Sequence, residues 1–180
     1  MRFFINGVPK IVVVDDYLPY RTDLNSLAFA RSKYQNEFWV SILEKAWAKL
    51  HGSYCMVEGG TSDSVFSHLT NRPTELLNHR KKKFSHEKLW SKLKAASRLK
   101  CLMTCESSEE KTYAVVCVVE VMACGKIERL VKVKNPHGNN IWGRKGSPKK
   151  PMRTSFPSLK YSSELEEKGQ FLIAYEDYLL

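Results

Sequence analysis

Residues 112–122 read TYAVVCVVEVM, an almost unbroken β-branched run. β-branched side chains are stiff at χ1 and crowd a helix, so a run of this kind predicts a strand. Its continuous apolarity over residues 115–119 predicts burial on both faces. A turn at Ala123, Cys124, Gly125 and Lys126 leads into IERLVKVK, residues 127–134, whose alternation predicts an antiparallel partner. A strand pair this apolar requires cover, and the sequence supplies helices to provide it.

Residues 36–52, NEFWVSILEKAWAKLHG, place Phe38, Trp39, Ile42, Leu43, Ala46, Trp47 and Leu50 on one apolar stripe at helical spacing. Asn36 is the expected N-cap, Glu37 suits the first turn, and Gly52 ends the helix in a left-handed conformation. A short capped helix is expected in TSDSVFSHL, residues 61–69, and another over residues 86–98 behind Ser85 as N-cap, with Leu89, Trp90, Leu93 and Ala96 inward. The first residues predict a hairpin about Asn6 and Gly7, with its second strand running from Ile11 to Val14. Strands are also expected in KCLMTC, residues 100–105, and in GQFLIAYEDYLL, residues 169–180, where the strand runs into a helical turn. From Trp142 to about residue 160 periodicity is lost. The expectation is an α+β fold in which helices pack on an antiparallel, barrel-like sheet, formed as one domain over residues 1–180.

Composition narrows the function classes. The apolar content of 43% and charged content of 27% are those of a soluble globular protein. No apolar stretch approaches the roughly 20 residues that span a bilayer, and no targeting segment opens the sequence, so the expected location is cytoplasmic. Five cysteines, Cys55, Cys101, Cys105, Cys117 and Cys124, are odd in number and lack zinc-ligand spacing, which predicts reduced thiols and no metal. The net charge of +10 gathers in residues 79–100, which hold Arg80, Lys81, Lys82 and Lys83, and in residues 143–153, which hold Arg144, Lys145, Lys149 and Lys150. Such basic stretches suit anionic surfaces. Without aromatic interleaving or a recognition-helix pattern, nucleic acid is not the expected partner.

KVKNPHGNNIW, residues 132–142, leaves the second strand through Asn135, Pro136, His137 and Gly138. On the residues alone this is either a plain turn or the last member of a catalytic constellation. Together and in order, VVVDDYLP, the residue 36–52 helix with the Glu58, Gly59, Gly60 triplet after it, YAVVCVVEV, KVKNPHGNNIW and GQFLIAYEDYLL resemble the second half of the calpain protease core. Calpains are papain-like cysteine peptidases of the cytosol. The resemblance implies the β-rich second lobe, which in that family supplies a histidine and an asparagine opposite a cysteine on a helical first lobe. No segment like Gly-Asp-Cys-Trp is present, so the nucleophile is absent from these residues.

In the family the histidine opens a strand reading His-Ala-Tyr-Ser-Val. Matching Tyr113 and Val115 to it puts Lys111 at the histidine position, beside Glu109 and Glu110. A lysine, with an unperturbed pKa of about 10.4, is a cation with no lone pair at neutral pH. Asn135 matches the family residue that orients the imidazole, and His137 stands where a shielding tryptophan is expected. His137, Tyr113 and Trp142 would line the cleft. The family's calcium ligands are expected to be lost, since Ile141, Lys168 and Gln170 take their places, so no cofactor is anticipated. The resulting expectation is a catalytically inactive calpain-like pseudopeptidase. It would bind a protein partner, acidic or cytoskeletal, through the face around Lys111, Asn135 and His137, and so be cytoplasmic and cytoskeleton-associated. The alternative is a fragment of an active calcium-dependent cysteine endopeptidase whose first lobe lies elsewhere. An anion-binding module resting on charge alone is a third reading.

Overall fold

The computed structural model describes residues 1–32, 34, 36–79, 84–106, 111–123, 125–136 and 169–179, and the chain divides into two compact units, Met1–Leu76 and Leu77–Leu180.

In the first unit β1 (Arg2–Ile5) pairs antiparallel with β2 (Val8–Ile11). Asn6 and Gly7 join them, both at positive φ, as a tight two-residue hairpin demands. The paired strand therefore ends at Ile11 and does not run from Ile11 to Val14 as the sequence suggested. The reason is the length of its partner: the last backbone bond, from the Val12 N–H to the Met1 carbonyl at 2.8 Å, uses up β1. Beyond it the extended chain is held by the first helix, α1 (Trp39–His51). Lys49 Nζ donates to the Val13 carbonyl at 2.8 Å, and Lys45 Nζ to the Tyr17 carbonyl at 2.6 Å and to the Asp15 carboxylate. A short hairpin, β3 (Tyr20–Arg21) with β4 (Ser26–Leu27), precedes α1.

Helix α1 starts later than its sequence signals. Its N-cap is Phe38, with no side-chain cap, not Asn36. The Glu37 N–H bonds the Tyr34 carbonyl and its carboxylate accepts from Ser32 Oγ at 2.7 Å, so Glu37 belongs to a preceding turn. Phe38 and Trp39 are consequently 53% and 61% exposed, not part of the buried stripe, and Ser41 is buried in their stead, donating to the Ala30 carbonyl at 2.8 Å. Gly52 ends the helix at positive φ, but with φ 110° and ψ −44° it lies outside the left-handed helical region expected of it. The core of this unit sets Phe3, Val12 and Ala46 against Val14, Leu43, Trp47, Leu50 and Leu69, with Leu69 supplied by α2 (Ser62–Thr70).

The second unit is a four-stranded antiparallel sheet in the order β5-β6-β7-β8, with helix α3 (His86–Arg98) on one face. Its strands are β5 (Thr104–Glu106), β6 (Thr112–Ala123), β7 (Lys126–Lys134) and β8 (Gln170–Ala174), followed by the short α4 (Tyr175–Tyr178). The α+β expectation holds, but among the described residues the sheet is open and not barrel-like. β5 also begins later than residue 100, because Lys100, at positive φ, and Cys101, whose N–H reaches the Ala96 carbonyl, still belong to the helix ending.

The β6–β7 register slips by one residue at Val116: Val115 faces Val133, whereas Cys117 faces Lys132. One extra residue in a strand switches which side chains share a face. Before the bulge Tyr113 and Val115 pack into the α3 core, and after it Val118 packs there while Glu120 bonds α3. This overturns the reading of residues 115–119 as buried on both faces, for Val116 is 45% exposed. Consecutive full burial occurs instead on β7, at Leu130 and Val131.

Helix α3 starts at Ser85, whose hydroxyl accepts from the Lys88 N–H, and buries Leu89, Trp90 and Leu93. Trp90 Nε1 donates to Glu120 at 2.7 Å, Lys94 bonds the other oxygen of that carboxylate at 2.7 Å, and Arg129 stacks 5.4 Å over the indole. Arg129 also grips Glu87 through two bonds of 2.6 and 2.9 Å. These bonds fix α3 across β6 and β7.

Trp90→Ala empties the centre of this unit and is expected to cost about 3–5 kcal/mol, read as a lowered urea midpoint, whereas Ser85→Ala, which removes one cap, costs about 1 kcal/mol. The clamp also sets an acid response. Lys94 holds the Glu120 carboxyl below its ordinary value, helped by Trp90, and Arg129 does the same for Glu87. A depressed carboxylate contributes stability above the ordinary carboxyl range and loses it as pH falls through its folded pKa. The melting temperature should therefore decline from pH 5 to pH 3, and decline less steeply in Glu120→Gln. A slope unchanged by that substitution would exclude the clamp as its source.

Candidate functional site

The end of the sheet where β6 begins and β7 leaves holds Lys111, Tyr113, Asn135 and Gln170, the described residues among those singled out from the sequence. Cys105 pairs with Tyr113, the next row pairs Thr104 with Ala114, Ala114 with Lys134, and Lys134 with Gln170. One step past Lys134 the Asn135 N–H donates to the Gly169 carbonyl at 2.8 Å, which extends the β7–β8 ladder by one residue. Continued in that register, Tyr113 and Asn135 occupy one row.

Side chains on a strand alternate, so Asn135 points to the same face as Val131 and Val133, the face covered by α3. Asn135 is 4% exposed, one of two buried polar residues among those described. Lys111 lies two residues before Tyr113, just outside β6, and is exposed. Continued past the end of β6, the same alternation would bring Lys111 toward the rim of that face.

Tyr113, read from the sequence as a cleft residue, is 3% exposed and sits in the core below this rim, edge-on to Phe171 with ring centroids 6.0 Å apart. Its cross-strand partner Cys105 is partly buried against the same core. Burial pushes the Cys105 thiol up to about 12, although the Tyr178 hydroxyl bonded to it acts in the opposite direction. A thiol so placed stays protonated and is no nucleophile at neutral pH.

His137, Ile141, Trp142 and Lys168 lie outside the described residues, as do the basic Arg80, Lys81, Lys82, Lys83, Arg144, Lys145, Lys149 and Lys150. Of the three positions read as lost calcium ligands only Gln170 is described. It is a neutral amide at the start of β8 whose cross-strand neighbour is the cationic Lys134.

Two participants escaped the sequence reading. Gly169, at a φ of 70°, supplies the carbonyl that holds the Asn135 backbone, and a glycine directly before a strand was the available signal. Cys105 was grouped with the other buried thiols, and nothing local to it announced that Tyr113 and Asn135 would share its row.

A family model described as calpain family cysteine protease matches residues 1–180. The chain is 32% identical over 197 residues to a calpain-type cysteine protease of Zea mays, and 31% identical over 193 residues to the calpain-2 catalytic subunit of Mus musculus. It is also 32% identical over 197 residues to calpain-8 of Rattus norvegicus. Each match takes in 99% of this chain, but the chain spans only 27% of the two rodent proteins and 9% of the maize protein.

Burial of the Asn135 amide gives a direct expectation. Asn135→Ala leaves polar groups of the site without a partner and should lower stability by about 1–3 kcal/mol in urea denaturation. Native alkylation followed by mass spectrometry should label the exposed Cys55 and Cys101 at pH 8 and spare Cys105. Equal labelling of Cys105 would contradict its burial.

Proposed function

The chain belongs to the calpain family of cysteine proteases, and on that premise we propose that residues 1–180 act as one non-catalytic module, a pseudopeptidase domain that works through protein binding. The observation that carries this reading is Lys111, exposed just before β6 at the position where the family resemblance expects a histidine. Cysteine peptidase chemistry needs a side chain that takes the thiol proton, stabilises the thiolate as an ion pair, and returns the proton to the leaving amine. An exposed lysine keeps its proton at neutral pH, so it can pair with a thiolate but cannot accept the proton that makes one. Asn135 then has no imidazole to orient.

The end of the sheet bearing Lys111 and Asn135 is the proposed docking face. The basic stretches in residues 79–100 and 143–153 favour an acidic protein partner, and a cytoskeletal assembly in the cytoplasm fits that chemistry. Calcium is not required in this reading, because Gln170 faces Lys134 where a carboxylate would be needed.

The second reading, a piece of an active calcium-dependent endopeptidase, is favoured by Asn135 itself, present and buried at the matching position. Mixing experiments separate the two. The purified chain, alone or with a cysteine-bearing calpain first lobe, is expected to leave a fluorogenic peptide uncut in calcium. Thiol-sensitive cleavage by the unaltered chain would overturn the pseudopeptidase reading. Cleavage gained only with Lys111→His would identify the lost base as the cause. Calorimetry with calcium is expected to show no saturable site that depends on Gln170.

A further inference from the structure

We propose that the outer face of α3 and the turn that follows it dock on an anionic phospholipid surface, through residues separate from Lys111 and Asn135. The helix ends and the turn begins with Arg98, Leu99, Lys100, Cys101 and Leu102. Leu99 and Leu102 are 72% and 66% exposed, and Arg98, Lys100 and Cys101 are exposed with them. A single exposed leucine is ordinary. Two on one turn, with cations on either side of the first, make a patch with a defined chemistry.

The turn holds its shape. The N–H groups of Leu99, Lys100 and Cys101 donate to the carbonyls of Ala95, Ser97 and Ala96 at 3.0, 3.1 and 2.9 Å, and Lys100 takes a left-handed φ of 55°. Met103 then anchors the chain: its carbonyl accepts from the Val115 N–H at 2.9 Å and its side chain packs against the α3 core. Leu102, one residue earlier, is left in water.

The helix before the turn carries the matching charge. Leu89, Trp90 and Leu93 face the core, whereas Lys88, Lys92, Ala95 and Leu99 follow the spacing of one helix face and are all exposed. The one acid of α3, Glu87, is gripped by Arg129. Lys88, Lys92, Arg98 and Lys100 therefore present a cationic strip that ends in apolar side chains. Negative headgroups complement the cations, and the apolar boundary beneath them takes up Leu99 and Leu102 while the long basic side chains keep their charges at headgroup level. An acidic protein would supply the charge but would need a pocket shaped for two protruding leucines, which a fluid acyl boundary accepts without fit. Among the described residues no helix is long and apolar enough to cross a membrane, so the contact is peripheral.

Flotation of the whole chain with vesicles of equal parts phosphatidylcholine and phosphatidylserine, against phosphatidylcholine alone, tests this. The expected result is binding to the mixed vesicles, about tenfold or more weaker on the neutral ones and falling as salt is added. Leu99→Ser combined with Leu102→Ser should weaken it about tenfold or more while leaving the melting temperature nearly unchanged, since both side chains are exposed. Lys92→Gln and Arg98→Gln should each weaken it about fivefold. With Cys55→Ser and Cys124→Ser in place, an environment-sensitive dye on Cys101 should shift to the blue on mixed vesicles, a readout that leaves both leucines intact. Absence of binding to the mixed vesicles, or a dye whose emission does not move, overturns the proposal. Binding undiminished by the leucine pair also overturns it, by assigning the attraction to basic charge alone. An acidic polypeptide captured by these residues when vesicles are not would replace the lipid with a protein partner and sink it as well.

Discussion

The bulge at Val116 is the constraint on which the second unit is built. Without the extra residue, the side chains of β6 that follow would alternate the other way, presenting Val119 and Val121 to α3 and turning Glu120 away. Trp90 would then bury its indole N–H with no acceptor, and Arg129 would keep only Glu87. With the slip in place, one sheet face changes from apolar packing, at Tyr113 and Val115, to a charged clamp at Glu120 within a single strand. The helix is therefore seated by dispersion at one end and by directional bonds at the other. Packing alone would tolerate a small slide of α3 along the sheet, but a bonded carboxylate shared between Trp90 and Lys94 does not.

That fixed seating is transmitted to the sheet end. β7 runs without interruption from Arg129, inside the clamp, to Lys134, and Asn135 follows with its backbone held by Gly169. Three consecutive same-face residues, Val131, Val133 and Asn135, thus go from fully apolar to polar while remaining buried. On the β6 side the corresponding sequence runs outward from Val115 and Tyr113 to Lys111, from buried to exposed. The two strands reach the same rim in different environments.

Most of this was legible in the chain itself, and the misreadings have physical causes. Ser85 and the Leu89, Trp90, Leu93 spacing specify α3 locally, so its bounds were read correctly. Asn6 and Gly7 specify their turn for the same reason. The failures are non-local. The extent of β2 depends on where β1 runs out, and the cap of α1 was lost because Ser32 and Tyr34 claim Glu37. The bulge is invisible in a run of valines, where a shift of one residue leaves the pattern unchanged, and this is why residues 115–119 read as buried on both faces. At the site, Lys111 and Asn135 came from a family resemblance, and their shared rim follows from a register that no single strand encodes.

If the proposed pseudopeptidase reading holds, the contrast between those two residues explains how one half of a catalytic pair can persist while the other changes. Asn135 is inside the fold, and a buried amide exchanged for an apolar or charged side chain leaves unsatisfied groups behind, at about 1–3 kcal/mol. Marginally stable domains do not absorb many such losses. Asn135 is therefore held in place by folding, whether or not it orients anything. Lys111 faces water, where exchange of a histidine for a lysine disturbs little beyond local charge. On that reading, loss of catalytic demand would release the exposed position and leave the buried asparagine where it was. On the proposed reading, then, the buried asparagine says little about activity, and the exposed Lys111 carries the case against it.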